Sequence, residues 1–113
     1  MTSERFPRRA RISRGTDLIA CWEEGHRLRL PHLEIAWRVN QVGHPRTGTI
    51  VPRHQHTAVA RNRLRRRLKE ILRRDVLPGL ASVDLVVRPR RGAYAAVFAV
   101  LRAEMAEAIR RIS

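Results

Sequence analysis

The chain has 113 residues, 24 lysines and arginines against 10 acids, a formal net charge of +14 and a sequence pI near 11.9. That length suits one domain with a modest core, and 43% hydrophobic residues excludes a disordered chain. Cys21 is the single cysteine, which excludes an internal disulfide and a cysteine-built metal site.

No apolar run approaches the ~20 residues of a membrane span, and no uninterrupted apolar segment follows the basic N-terminus as a secretory signal would require. A reducing cytoplasm is the expected compartment. A pI this far above neutrality is the electrostatic footprint of nucleic-acid binding, with an anionic membrane as the weaker alternative.

Residues 1–14 carry Arg5, Arg8, Arg9, Arg11 and Arg14 with Pro7, and read as a mobile basic arm ahead of a single domain over 15–113. Thr16 or Asp17 offers an N-cap to a short helix containing Leu18, Ile19, Cys21 and Trp22, stopped at Gly25. Positions 33–39 alternate with period two, placing Leu33, Ile35, Trp37 and Val39 on one face and Glu34, Ala36 and Arg38 on the other. The turn-rich stretch 40–45 then reverses the chain into a second strand over 47–51, expected as its hairpin partner, and Pro52 ends it.

Residues 53–57 lead to the most charged stretch of the chain, with Thr57 as N-cap. Positions 61–74 contain no Gly or Pro, and at roughly 100° per residue Leu64, Leu68, Ile71 and Leu72 form one apolar stripe. Arg61, Asn62, Arg65, Arg66, Lys69 and Arg73 fall along one flank, and Arg63, Arg67, Glu70 and Arg74 along the other. Glu70 can offset part of that charge, through Arg67 and Arg74 at helical spacing. So many like charges on a packed helix call for anions from outside the chain, and arginine's planar fork matches phosphate oxygens two at a time. Unpaired amides and the helix dipole add positive potential at the first turn, beside Arg61, Asn62, Arg63 and Arg65. For Asn62 alone, a helix-start hydrogen bond is an equal alternative.

Pro78-Gly79 breaks the helix, 83–89 is a largely buried strand, and 90–92 is a basic turn. Residues 95–112 close the chain as an amphipathic helix with Val97, Val100, Leu101, Met105, Ala108, Ile109 and Ile112 inside. A strand, a long helix and a strand suggest a crossover, right-handed by the general rule if the strands are parallel.

The run Ala58-Val59-Ala60-Arg61-Asn62-Arg63-Leu64-Arg65-Arg66-Arg67-Leu68-Lys69-Glu70 closely resembles the signature of the bacterial ribonuclease P protein component, the basic partner of a catalytic RNA. The likeness extends from about Asp17 to the last helix. Asp17, Trp22 and Gly25 match the family's first helix, whereas Leu18 stands where an aromatic is usual. Pro52, His54 and His56 replace the family's serine, lysine and glycine ahead of the basic helix, and the family's strand aromatic aligns near Ala36.

The resemblance implies an α+β sandwich in the order α-β-β-β-α-β-α, with a mostly antiparallel sheet of three or four strands and a left-handed β-α-β crossover. It implies a subunit that binds the catalytic RNA and the single-stranded 5′ leader of precursor tRNA, while the RNA carries out the hydrolysis. Magnesium is then held mainly by that RNA and none by the protein alone. The implied RNA contacts are Arg61, Asn62, Arg63, Arg65, Arg66, Arg67 and Lys69, with Arg53, His54, Arg38 and Trp22.

Single strands are gripped by stacking plus cations, so Trp22 and Trp37 are the aromatic candidates, Trp37 being favoured for the core because it shares a face with Leu33 and Ile35. His54 and His56 form a His-x-His pair without a third ligand at recognisable spacing, so no metal site is assigned. No catalytic residue is assigned either, since no nucleophile triad, paired carboxylates or phosphate-binding glycine loop occurs. The rival reading is a purely structural basic RNA-binding protein of the ribosomal kind. An autonomous nuclease using the histidines is a third.

Overall fold

The computed structural model describes residues 8–53 and 55–112. Helix α1, Gly15–Glu24, begins one or two residues earlier than its expected caps, so Asp17 sits in the first turn, where its charge complements the helix dipole. Gly25 closes α1 by donating its amide to Cys21 O at 2.9 Å. The position also requires the absence of a side chain, because a Cβ there would lie 2.6 Å from both Cys21 O and Trp37 O.

Strand β1, His26–Arg29, runs antiparallel to β2, Leu33–Val39, with Leu28 opposite Ile35. β1 has no alternating apolar pattern of its own and is held by pairing, which is why chain-order reading passes over it. On its other side β2 pairs antiparallel with β4, Val83–Pro89, Ile35 facing Val87. The strand order is β1-β2-β4-β3, where β3 is Arg46–Thr49.

β3 therefore corrects the expected hairpin: it lies parallel to β4 and does not touch β2 in the sheet. The reason is burial. Leu85, Val86 and Val87 are apolar toward both faces and enclosed, so β4 takes a central position and displaces β3 to the edge. The turn at 40–45 fits this route, since Asn40 donates from its backbone to Ser82 O and from its side chain to Asp84 Oδ1 at 2.9 Å, past the end of β4.

Helix α2, Ala58–Ile71, carries the chain from β3 to β4 as the crossover of a parallel pair. It continues as a wider π-type turn, Leu72–Val76, before the break at Pro78. Leu64, Leu68, Ile71 and Leu72 are buried against Leu33, Ile35, Leu85 and Val87 and against Leu101, Met105 and Ala108 of α3, Phe98–Ile112. α3 starts three residues later than expected, after a 3-10 turn at Arg91–Tyr94. Two inward assignments are corrected here: Val97, just ahead of α3, is 64% exposed and Val100, in its first turn, 39%.

The opposite sheet face is covered by α1. Cys21 packs on Val86 with Ile12, flanked by Leu18, Trp22 and Ile50, and Ala36 is fully buried there because its small side chain lets the helix approach. β2 is thus enclosed on both faces at Ile35 and Ala36, while Glu34 stays partly exposed. Over its described part the segment expected as an arm lies against the sheet: Ala10 and Ile12 are buried, and the Ile12 amide donates to Thr47 O at 2.9 Å along the outer edge of β3. Residues 1–7 of that arm lie outside the described residues.

An ionic network pins α1 and β3 to β4. Asp84, buried, receives Arg46 Nε at 2.9 Å and Nη2 at 2.8 Å, a bidentate pair completed by Asn40. Arg46 also approaches Asp17 of α1 at 4.0 Å. The Arg46 guanidinium is held more firmly protonated, chiefly by its hydrogen bonds to Asp84.

Candidate nucleic-acid interface

α2 is built as a rod with one face committed to the core. Thr57 caps it, its hydroxyl accepting the Ala60 amide at 3.1 Å, as the connector composition predicts. With the apolar stripe inward, the two charged flanks are left on either side of the rod. Among the described residues no carboxylate forms an ion pair with Arg61, Arg63, Arg65, Arg66, Arg67 or Lys69. Glu70 serves Arg73 at 2.9 Å and Arg74 at 2.7 Å, not Arg67. The Arg73 hydrogen bond, more than any other contact, holds the Glu70 carboxyl below its ordinary range. The charge at the start of α2 is therefore left for an external anion.

One flank borders a groove of about 250 Å³ between α2, the outer edge of β3 and the start of α1. Arg65 and Lys69 form one wall and Arg11 the other, over an apolar floor of Ile12, Leu18 and Leu72. Thr47 also lines it, and its hydroxyl is buried without a hydrogen-bond partner. Arg65 is fixed by its own helix: its Nη1 donates to Asn62 Oδ1 at 2.7 Å. Asn62 thus orients an arginine rather than capping the helix. A shallower depression alongside adds Arg66. On the other flank Arg63 and Arg67 line a smaller depression with His56 and Tyr94. Arg61 lines neither; it is half-buried, with its Nε enclosed and unpaired.

The remaining predicted residues divide. Arg53 is exposed in the connector, and His54 lies outside the described residues. Arg38 donates to Glu24 Oε1 at 3.1 Å, so part of its charge is already met. Trp22 sits on the α1 side of the sheet, half-buried, with the guanidinium of Arg27 4.4 Å and that of Arg88 5.6 Å from its ring centre. Arg27 also donates twice to Trp22 O, at 2.9 and 2.6 Å. The ring is therefore built into a basic patch, though not into the groove beside Arg65. Trp37 packs on the main core, as its face predicts, with His26 tilted against it at 5.5 Å.

Sequence reading missed Arg11, Arg27, Arg88 and Thr47. Arg11 was submerged in the arm's general charge. Arg27 lies five residues beyond Trp22, just past the end of α1, and Arg88 becomes a neighbour of Trp22 only through the sheet, which no local pattern encodes.

Among the described residues no group of three or more His, Cys, Asp and Glu side chains is placed to hold a metal ion, and no described helix is long and apolar enough to cross a membrane.

A profile of the family described as Ribonuclease P matches residues 6–113. The ribonuclease P protein component of Desulfovibrio desulfuricans is 34% identical over 112 residues, covering 96% of this chain and 86% of that one. That of Serratia proteamaculans is 36% identical over 90 residues, covering 77% and 73%. Among solved structures, the RNase P protein of Thermotoga maritima superposes with a TM-score of 0.80 at 27% identity, covering 91% of this chain and 97% of that one. The RNase P protein of Staphylococcus aureus, at 20% identity, shares the fold with a TM-score of 0.81 over 92% and 95% of the chains.

Proposed function

We infer the role of this surface from one premise: the chain belongs to the bacterial ribonuclease P protein family. It is the protein component of the ribonucleoprotein that matures the 5′ ends of tRNA, an accessory subunit of an endoribonuclease.

The observation that carries the finer reading is the set of cations at the start of α2, held on a core-anchored helix and unmatched by any acid among the described residues, beside an open groove. In this reading Arg65 and Lys69, with Arg11 opposite, grip the phosphates of a single strand, the 5′ leader of precursor tRNA, while its sugars and bases lie over Ile12, Leu18 and Leu72. Arg63 and Arg67, on the other flank, take the folded catalytic RNA, and Arg66 extends the first contact. Arg61, Asn62, Arg53, His54, Arg38 and Trp22 complete the proposed RNA-facing set. Asn62 acts through Arg65, and Trp22 through the basic patch around its ring. Residues 15–113 are proposed as the RNA-binding domain and the segment before them as a basic arm, anchored from Arg8.

The described groove walls are cationic, and among the described residues no carboxylate set is offered to a divalent ion, so the magnesium that assists hydrolysis belongs in this reading to the RNA. The protein's contribution is to lower the repulsion among phosphates brought together around those ions. The cytoplasm, where tRNA precursors are made, is the proposed compartment.

The test is reconstitution. Added to a bacterial ribonuclease P RNA at low magnesium, the protein is expected to stimulate cleavage of precursor tRNA, and more so for a precursor with a long 5′ leader than for one with a single leader nucleotide. Binding without stimulation would reduce the protein to a purely structural RNA binder. Equal stimulation of both precursors would remove the leader from the groove.

A further inference from the structure

The connector residue His56 lies flat on Tyr94, ring centres 3.7 Å apart and planes within 5°. Tyr94 is half-buried at the end of its 3-10 turn, and its hydroxyl donates to Pro52 O at 2.8 Å, which fixes the phenol ring. His56 is the outer, exposed ring, so one of its faces is covered by tyrosine and the other is open. Beside the pair is a depression of about 160 Å³, walled by Ala60, Leu64, Arg63 and Arg67. Arg63 and Arg67 are four apart on one helix, a spacing at which like charges repel. No described carboxylate pairs with either of them.

A fixed aromatic pile with an open end, next to two unmatched guanidinium groups, has the composition of a single-stranded nucleotide site: a π-face for the base and forks for the phosphates. We propose that His56 and Tyr94, with Arg63 and Arg67, form a nucleotide-binding site for unpaired RNA, separate from the groove at Arg65 and on the opposite flank of α2. An unstacked base extends the pile by lying on the outer face of His56, and the phosphates on its two sides reach Arg63 and Arg67. Tyr94 does not touch the RNA; it is the positioning residue that holds the imidazole flat. The proposal rests on the RNA-binding reading above for the class of ligand. It adds to that reading a recognition step by stacking, on a flank otherwise described by charge alone.

The experiment uses the full-length protein and a short single-stranded RNA carrying one 2-aminopurine, whose fluorescence is quenched when the base stacks. Stimulation of cleavage by a ribonuclease P RNA is measured in parallel on the same variants. The wild-type protein is expected to bind the oligonucleotide and to quench the probe. His56→Ala should abolish the quench and weaken binding about 5- to 150-fold, the range for one lost base stack. His56→Phe, which keeps a flat ring but no ring nitrogen, should retain the quench. Circular dichroism of each variant verifies that the fold is intact.

Quenching that survives His56→Ala overturns the site, as does a wild-type protein that binds without quenching or does not bind at all. Loss of the quench in His56→Phe would also overturn it, by showing that a ring nitrogen and not a stacking face is used. If the quench follows this pattern while cleavage is not stimulated even by the wild type, the subunit reading fails and the nucleotide site stands. Stimulation without a quench gives the reverse.

Discussion

Arg65→Ala isolates the electrostatic part of RNA binding. Five cations line the groove and the aromatic depression on either side of α2: Arg11, Arg65 and Lys69 on one flank, and Arg63 and Arg67 on the other. If each neutralises one phosphate, log affinity falls with log salt at a slope of about −3.5 to −4.5, from coefficients of roughly 0.7 per contact for single strands and 0.9 for duplexes. Raising monovalent salt from about 50 to about 200 mM should then weaken wild-type binding about 130- to 500-fold. With Arg65 removed, four contacts remain, the slope falls to about −2.8 to −3.6, and the same change in salt costs only about 50- to 150-fold. The assay is a salt titration of binding to ribonuclease P RNA by filter retention or fluorescence anisotropy, with both proteins on one RNA preparation. Asn62→Ala sharpens it: the guanidinium stays but loses its 2.7 Å anchor, so affinity should drop while the slope is kept. An Arg65→Ala slope equal to that of wild type would refute a phosphate at this position, however the affinity changed.

Asp84→Ala should destabilise the fold by about 3–5 kcal/mol in urea denaturation, because Arg46 is left enclosed without its bidentate partner; a loss below about 1 kcal/mol would mean that water replaces the carboxylate. Leu68→Ala, at the fully buried centre of the α2 stripe, should cost about 2–5 kcal/mol in the same assay, and Thr57→Ala about 1 kcal/mol through loss of the cap to Ala60. Burial, with a smaller contribution from Asp84, pushes the Cys21 thiol up from 9.0 to about 11. Folding therefore favours the protonated form. That stabilisation is complete below about pH 9 and is lost as the pH rises through about 11, so unfolding free energy should fall by on the order of 1 kcal/mol from pH 8 to pH 10. A Cys21→Ala protein showing the same decline would assign it to other groups.

What could be read before folding was whatever repeats along the chain. The stripe of Leu64, Leu68, Ile71 and Leu72, the cap at Thr57 and the strand 33–39 each satisfy a local period, and each is in place. The charged flanks of α2 follow from that stripe, because a helix that buries one side must present the others. Tertiary structure decided what depends on partners distant in sequence. β4 went to the centre because it is apolar on both faces, and that placed β3 at an open edge where Arg11 and Ile12 could join it and complete a groove with Arg65. Arg88 met Trp22 through the sheet, Arg46 met Asp84 through the parallel pair, and His56 reached Tyr94 across 38 residues of chain. Periodicity specifies which side of an element is buried. Only the competition among elements for the same core specifies which neighbour buries it, and the groove and the aromatic pile are products of that competition.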